Sequence, residues 1–441
     1  MALPSLRALL RDEDNGALDR IRTACSGTDR ECGDADLDEV IACGFQQLTK
    51  PEAHSAPEAH TGHWRDCFAL AAVLRAASKL SSGHWQAAVR LLDLALILGR
   101  KDGEQQSAEV AAACAPLLAA AAVQRVHDGR SELAPPAKKR RSSRLARSPA
   151  APSSLPAVSE LLGCDGGGDG RLRAAVQAAR AARRGLKLLG ALDDWAALRS
   201  GWASSLEAVS AAVGHRTVPI EVGIGAWGGR AATGRQQRLM RIDDFLAGLH
   251  GPESEHHGAS PLAVTPVVPV TAFSTRGYCA QHQLFHQAPD LAAQIGTRAL
   301  ELCGDRDTAA TLGAARVWLG PGGTVTPLHF DRHDNVLCQC FGAKLVLLCG
   351  EGESGELDEG GGALYPCVEL ANASRVDAEV PDLAAFPRFG SVPRRACVLQ
   401  PGDALFIPRG VWHYVRSLSP SLSISFWFDA PGSDGTTGDS R

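Results

Sequence analysis

Short strand-like segments fill the last third of the chain, and they most constrain what it can fold into. From Arg316 onward, runs of β-branched and apolar residues alternate with turns that contain proline and glycine. The segments that predict strands are 316–319, 335–340, 344–348, 397–399, 404–408, 413–416 and 421–428. Many short strands of this kind predict a jelly-roll sandwich or barrel, and such folds hold a small-ligand site in their mouth.

The N-terminal part of the chain has a different pattern. Residues 1–62 are polar and irregular, which predicts a poorly ordered segment. Apolar residues then recur at a spacing of three and four, and an alanine-rich stretch follows in which Pro116 should kink or split the helix. Residues 63–130 are therefore predicted to form an all-α helical domain.

A basic, proline-containing stretch separates the two parts. It includes Lys138-Lys139-Arg140-Arg141 and continues to a glycine-rich run at 165–170. Few apolar groups and many like charges cannot support a core, so residues 131–170 are predicted to be a disordered basic and glycine-rich linker. The basic run indicates either a nuclear import signal or a solvated tether. We expect a nuclear location, with the cytoplasm as the alternative, and no direct sequence-specific DNA binding.

Composition limits the class of protein and its cellular compartment. The chain has 441 residues, which favours two domains, and a net charge of −4, which by itself indicates no nucleic-acid partner. Its 13 cysteines include no C-x-x-C pair, a usage typical of reduced thiols in an intracellular protein. No signal peptide is recognisable, and no apolar run approaches the length needed to span a membrane. We therefore expect a soluble intracellular protein without a membrane partner.

The segment from Thr326 to Asp331 carries the clearest chemical signal. His329 and Asp331 are two residues apart, and on a strand this spacing points both side chains to the same face. A second imidazole would complete the 2-His-1-carboxylate triad, which leaves three open positions on a non-haem Fe(II). His413 is the candidate for that imidazole, and His333, which continues the alternation, is the rival. A His-x-Asp pair alone is more often a surface pair than a metal site.

Two neighbouring strands and the lysine between them extend this signal. Residues 335–340 and 344–348 flank a tight turn at Gly342 and predict an antiparallel hairpin. Lys344 is the only charge in an otherwise apolar run. It lies either on the solvent-exposed face of an edge strand or in the interior with an anionic partner, because burying an unpaired ammonium group costs free energy.

Further polar residues complete a set that suits 2-oxoglutarate. The 2-oxo acid end of this molecule chelates iron, and its remote carboxylate needs a cation such as Lys344 and hydroxyl donors. Thr326 and Tyr278 supply hydroxyls, and Asn335 is placed to reach the carboxylate on the metal side. Oxidative decarboxylation would then yield succinate and CO2 and oxidise a nearby C–H bond, with the cofactor supplying the chemistry.

Residues 186–429 resemble the JmjC-domain Fe(II)/2-oxoglutarate oxygenases. The matching pieces are Asp194-Trp195, the strand 217–222, 278–282, 318–321, 326–331, Asn335 with Lys344, 401–408, Trp412-His413 and 425–427, together with a subfamily segment at 363–387. The resemblance implies an α+β chain with a double-stranded β-helix, the jelly-roll or cupin-like JmjC barrel, at 171–430. Residues 431–441 are then a disordered tail.

The resemblance also implies a cofactor set. It assigns Fe(II) to His329, Asp331 and His413, makes His333 a rim residue, and adds O2 as the second co-substrate. It assigns 2-oxoglutarate to Tyr278, Thr326, Asn335 and Lys344.

The substrate is expected to be a protein segment that bears arginine or lysine, from a histone or another chromatin protein. In the related subfamily, residues matching Glu221, Gln281 and Trp318 face the substrate pocket. A buried carboxylate beside a tryptophan suits a guanidinium, so we expect hydroxylation of arginine side chains. Glu221 in a structural salt bridge and Trp318 in the core are the competing interpretations. The alternative functions are a histone methyl-lysine demethylase and a non-catalytic chromatin-binding or partner-binding module.

Overall fold

Helices occupy the first part of the chain and strands the last. The computed structural model describes residues 34–48, 58–99, 105–131, 155–162, 168–222, 236–249, 277–304, 311–312, 314–351, 364–367 and 372–429. The helices are α1 Asp34–Leu48, α2 Glu58–Ser81, α3 Trp85–Leu98, α4 Gln105–Ser131, α5 Gly168–Ala181, α6 Leu206–Val213, α7 Ile242–Leu249, α8 Leu284–Gln287, α9 Pro289–Ala292 and α10 Arg298–Leu302. The strands are β1 Ser159–Leu162, β2 Leu186–Leu189, β3 Thr217–Val222, β4 Gln236–Arg241, β5 Cys279–His282, β6 Arg316–Gly320, β7 Val325–His329, β8 Asp334–Phe341, β9 Lys344–Cys349, β10 Arg394–Leu399, β11 Ala404–Ile407, β12 Trp412–Ser417 and β13 Ser421–Phe428.

The first compact unit comprises Met1–Arg141 together with His215–Val218 and His286–Pro289. Its helices α2 and α3 bury their apolar faces, as the three- and four-residue spacing predicts. The prediction of a poorly ordered segment over residues 1–62 is wrong for α1. In that helix Leu37, Val40 and Leu48 are buried, and their spacing is masked in the sequence by intervening acidic residues.

Helix α4 differs from the prediction in two respects. It runs through Pro116 as one element. Its stretch Val110–Asp128 is also long and apolar enough to cross a membrane by length and composition, so the expectation that no run reaches this length is wrong. Within the unit, Cys114, Leu118 and Ala121 are buried, but only 28% of this stretch is buried in all. One such helix is weak evidence of a membrane span.

The second compact unit comprises Ser142–Gly214, Pro219–Phe285 and Asp290–Arg441. A seven-stranded sheet has the order β1-β2-β11-β8-β13-β6-β5, and a four-stranded sheet has the order β10-β9-β12-β7. Every pair within these sheets is antiparallel except β1 with β2. This two-sheet arrangement agrees with the predicted jelly-roll architecture.

The predicted linker overlaps the start of this unit. The prediction of disorder over 131–170 is wrong for residues 155–162, where the amide of Val158 donates to Ala396 O and β1 pairs with β2. The apolar residues of this segment extend existing sheets, a pairing that local composition does not reveal. The prediction is also wrong for 168–170, where α5 begins. The basic run 138–141, the residues 163–167 and the predicted tail 431–441 lie outside the described residues.

The predicted hairpin of 335–340 with 344–348 is wrong. Strand β8 pairs with β11 and β13 in the larger sheet, whereas β9 pairs with β10 and β12 in the smaller one. The turn at Gly342, with φ +67°, carries the chain from one sheet to the other. A short glycine turn is compatible with both outcomes, so the turn alone does not determine the pairing.

Alternation along β9 and β12 divides the interior from the outer face of the smaller sheet. Leu345 and Leu347 belong to one apolar cluster with Trp412, whereas Val346 and Val415 belong to a second cluster. The second cluster also contains Leu337, Leu405 and Ile407 from the larger sheet, so it lies between the two sheets. Lys344 is two residues from Val346, and His413 is two residues from Val415, so their side chains point to the same inner face.

Candidate active site

His329 and His413 face each other across β7 and β12. The two residues are partners in the antiparallel register, and their ring centroids lie 4.2 Å apart. Immediately beyond them the register shifts, so that Val415 opposes Thr326. A bulge of this kind re-aims side chains and is common beside active sites. The distant histidine predicted to complete the triad therefore lies beside the first one.

Each imidazole is oriented by a backbone carbonyl two residues earlier. Nδ1 of His329 lies 2.7 Å from Pro327 O, and Nδ1 of His413 lies 2.9 Å from Val411 O. Because a carbonyl only accepts, Nδ1 must carry the proton in both rings, and Nε2 is left with a lone pair. Burial, followed by the neighbouring His413, lowers the pKa of His329, which keeps its ring in the neutral form that binds metals.

Asp331 completes the cluster just beyond the end of β7. Its Oδ1 lies 3.9 Å from His329 Nε2, and its Oδ2 lies 3.6 Å from His413 Nε2. The three ligand atoms of this set lie within 4.8 Å of one another. Burial alone would raise the pKa of Asp331, but the two imidazoles and two N–H donors outweigh it and hold that pKa below its ordinary value. A carboxylate and two free imidazole nitrogens thus converge on one point.

Lys344 lies at the start of β9, on its inner face, and is 2% exposed. Burial lowers the pKa of its ammonium group to about 7, and among the described residues only the thiol of Cys340 opposes this shift. No carboxylate in the described part of the chain forms an ion pair with it. Of the two positions predicted from the sequence, the structure has the buried one, but without an anionic partner among the described residues.

Two hydroxyl groups lie in the same pocket. Thr326 on β7 is hydrogen-bonded to Tyr278, whose pKa is raised by burial, so the phenol stays protonated at neutral pH. Gly320 makes room for this ring, since a Cβ there would lie 2.7 Å from Tyr278 Cδ2.

Asn335 lines the same pocket. Its Nδ2 donates to Asp331 Oδ2 at 2.9 Å, and its Oδ1 is buried without a hydrogen-bond partner. It therefore contacts the triad directly.

The residues predicted to bind the substrate are only partly brought together. Trp318 lines the pocket, where its Nε1 donates to Ser425 Oγ at 2.9 Å. Glu221 does not line it, but it exchanges both backbone hydrogen bonds with Tyr278, at 2.9 Å each. Gln281 has an exposed side chain and φ +52° and lies outside the pocket lining. The rival ligand His333 is exposed, and its Nδ1 lies 2.8 Å from Asp429 Oδ1.

Sequence reasoning missed the contribution of β13 to the pocket. Ser425 and Trp427 both line it, and Trp427 Nε1 donates to Asp331 Oδ2 at 2.8 Å. The alternation of Ser423, Ser425 and Trp427 was the available signal, because period-two spacing places all three on one face. The full lining is Tyr278, Trp318, Thr326, His329, Asp331, Asn335, Leu337, Lys344, Ile407, His413, Val415, Ser425 and Trp427.

Fold and site together define an α+β protein with two main sheets and a 2-His-1-carboxylate cluster at two neighbouring strands of the smaller one. A family model described as a cupin-like domain matches residues 175–434, and the chain therefore belongs to this family. The resemblance to JmjC proteins and the predicted fold class are thereby confirmed.

Several curated proteins are similar to the chain. It is 36% identical to Jumonji C domain-containing protein 5 of Drosophila melanogaster over 244 residues, which is 55% of this chain and 54% of that protein. It is 38% identical to lysine-specific demethylase 8 of Danio rerio over 248 residues, covering 54% of this chain and 52% of that protein. A third relative, lysine-specific demethylase JMJ30 of Arabidopsis thaliana, is 35% identical over 239 residues, covering 54% of this chain and 48% of that protein. The chain spans about half the length of the curated relatives it matches.

Proposed function

We propose that this protein is an Fe(II)- and 2-oxoglutarate-dependent oxygenase that hydroxylates arginine side chains of protein substrates. The observation that carries the proposal is the convergence of His329, Asp331 and His413 in one pocket whose described lining contains one lysine, the buried Lys344. A metal at the triad and a dicarboxylate reaching to the lysine would occupy the two ends of a single site. JmjC proteins of the cupin-like family generally use these two cofactors.

The donor set fits a divalent iron. Two imidazoles that turn Nδ1 to a backbone carbonyl and Nε2 to the cluster, with one carboxylate, form the facial triad typical of non-haem Fe(II) oxygenases. The backbone carbonyls on the Nδ1 side fix ring orientation, as partners of metal-bound histidines usually do. The three residues would hold the metal through one side of its coordination shell and leave the other side open.

The far end of the pocket fits a carboxylate. A buried ammonium without a counter-ion is unfavourable, and its lowered pKa reports that cost. A bound carboxylate would restore the charge pair, and the hydroxyls of Tyr278 and Thr326 would supply further hydrogen bonds. The cofactors together would supply oxidative decarboxylation to succinate and CO2 coupled to oxidation of a substrate C–H bond. The protein residues bind and orient, and the apolar lining from Leu337, Ile407 and Val415 excludes water.

The position of Glu221 supports an arginine substrate. Residues directly opposite in an antiparallel pair have their side chains on the same face. Glu221 is opposite Tyr278, whose ring lines the pocket, so its carboxylate lies on the pocket side of the ladder. Its charge adds to the effect of burial in raising the pKa of Tyr278 and of Cys279. A carboxylate on the strand beside Tyr278, with Trp318 in the pocket lining, is suited to a guanidinium by a bidentate pair and by stacking.

A methyl-lysine demethylase is the second candidate, because two of the relatives above are named lysine-specific demethylases. Both reactions oxidise a C–H bond of a protein side chain, and they differ in the residue placed before the metal. We propose a protein partner in either case, with histones and other chromatin proteins as candidates. The run 138–141 supports a nuclear location, and unchanged nuclear fluorescence after its deletion from a fusion protein would remove that support.

The first test is iron content and succinate release from 2-oxoglutarate. The wild-type chain should bind one iron and release succinate, whereas His329→Ala should do neither. His333→Ala, which changes an exposed histidine outside the triad, should match the wild type. A wild-type chain that binds no iron and releases no succinate would refute the proposal and favour a non-catalytic binding module.

A further inference from the structure

One oxygen of Asp331 carries two hydrogen bonds, and the other carries none from the described residues. Oδ2 accepts from Asn335 Nδ2 at 2.9 Å and from Trp427 Nε1 at 2.8 Å. A carboxylate has about four lone-pair sites over its two oxygens, so both sites of Oδ2 are used. Oδ1 keeps both of its lone pairs and lies 3.9 Å from His329 Nε2, whereas Oδ2 lies 3.6 Å from His413 Nε2.

The two donors reach the same atom because of strand register. Trp427 on β13 and Asn335 on β8 are directly opposite in the antiparallel pair. Opposite residues share a face, so the indole and the amide project side by side toward Asp331. The amide must present its nitrogen there, because a carboxylate cannot donate. This cross-strand pair is therefore built around one carboxylate oxygen.

We propose that Trp427 is a positioning residue for the metal site. Together with Asn335 it occupies Oδ2, which fixes the carboxylate and presents Oδ1 alone to the metal. Binding through one oxygen keeps a second coordination position from being taken by the same carboxylate. The inference rests on the proposed metal-binding role of the triad. It assigns a specific role to the indole N–H of Trp427.

The competing explanation is that Trp427 only fills space in the core. Trp427→Phe separates the two, since phenylalanine keeps an aromatic ring and loses the N–H. The matched control is Trp195→Phe. Trp195 is a fully buried tryptophan of the same unit, and its Nε1 has no hydrogen-bond partner among the described residues. Both variants replace an indole by a phenyl ring, but only one removes a hydrogen bond to Asp331.

The experiment measures Co(II) binding to the full chain by calorimetry and the thermal unfolding temperature of the metal-free protein. Loss of an outer-shell partner of a metal ligand typically costs about 10–100-fold in metal affinity. We expect a loss of that size for Trp427→Phe and none for Trp195→Phe, with similar unfolding temperatures for the two metal-free variants. Asn335→Ala provides a second variant and should also weaken Co(II) binding by about tenfold or more.

The outcomes are distinguishable. If Trp427→Phe binds Co(II) as tightly as the wild type, the proposal is wrong while the metal site stands. The same conclusion follows if its affinity falls only as far as in Trp195→Phe, with a matching fall in the unfolding temperature. If Trp427→Phe does not fold, unaltered Co(II) affinity in Asn335→Ala would contradict the shared role of the two donors. A wild-type chain that binds no Co(II) would overturn the metal site itself.

Discussion

His329 and His413 lie directly opposite each other in the β7–β12 pair, with both Nδ1 atoms turned to backbone carbonyls. This pairing places two free Nε2 atoms on one side of the sheet, within reach of Asp331. The candidate metal site therefore depends on strand register as well as on residue type. A change at either histidine should remove one imidazole nitrogen from the cluster.

His413→Ala should abolish the stabilisation of the protein by a divalent metal. A ligand present at 100 times its dissociation constant stabilises a folded protein by about 2.7 kcal/mol. The wild type and His333→Ala should show a stabilisation of this order with Mn(II) in thermal unfolding, and His413→Ala should show none. Equal stabilisation of all three proteins would place the metal elsewhere.

The affinity for 2-oxoglutarate should fall as the pH rises above about 7. Without a partner the pKa of Lys344 is about 7, below its ordinary value of 10.5, and a bound carboxylate would raise it again. Above pH 7 the free site must therefore take up a proton on binding, at a cost of up to about tenfold in affinity per pH unit. Below pH 7 the lysine is already charged, so the affinity should be independent of this group.

Calorimetry with 2-oxoglutarate at saturating Mn(II) measures this dependence. Lys344→Arg provides the matched control, because a guanidinium stays charged throughout the range. Its affinity should be weaker but flat with pH. A wild-type affinity that is also flat between pH 7 and 9 would show that Lys344 does not titrate in the free site.

Gly342→Ala should destabilise the protein more than Gly402→Ala. Both glycines have positive φ, +67° and +98°, so alanine incurs a backbone cost of about 1–2 kcal/mol at each. At Gly342 the added Cβ would also lie 2.0 Å from Pro420 O, whereas at Gly402 nothing lies within 4 Å. Denaturant unfolding of the two variants measures the difference. Equal free energies of unfolding would mean that the crossing between the sheets relaxes without cost.

Asp93→Ala should destabilise the helical unit strongly. Asp93 is fully buried, and it accepts from Arg216 and from the amide of Thr217. Removing it leaves a buried guanidinium without its partner, which typically costs about 3–5 kcal/mol. Asp38→Ala is the control, because Asp38 is 57% exposed in its pair with Arg75 and such pairs contribute about 0–1 kcal/mol. A similar small loss in both variants by urea unfolding would contradict this assignment.

The sequence predicted the strand positions and two members of the cluster, His329 and Asp331, because both depend on local pattern. The period-two alternation around Lys344 and His413 defines an inner face whichever strands pair with each other. Which strands pair is not determined by the local sequence, and for this reason the hairpin at Gly342 was wrongly predicted. The same limit concealed β1, which extends a sheet formed elsewhere in the chain.

Trp427 shows how far the residues of the site can be predicted from the sequence. Its aromatic character in an apolar run is equally consistent with a core residue. Only the register of β13 with β8 reveals that its N–H reaches Asp331.

The central claim is tested most directly by mass spectrometry of the products formed from arginine and methyl-lysine peptides. Peptides are incubated with the full chain, Fe(II), 2-oxoglutarate and ascorbate, and succinate is quantified in the same samples. The proposal predicts one added oxygen on an arginine residue and a matching amount of succinate. Glu221→Gln should lose the oxygenated arginine and keep Co(II) binding. Loss of a methyl group from lysine without any oxygenated arginine would contradict the account.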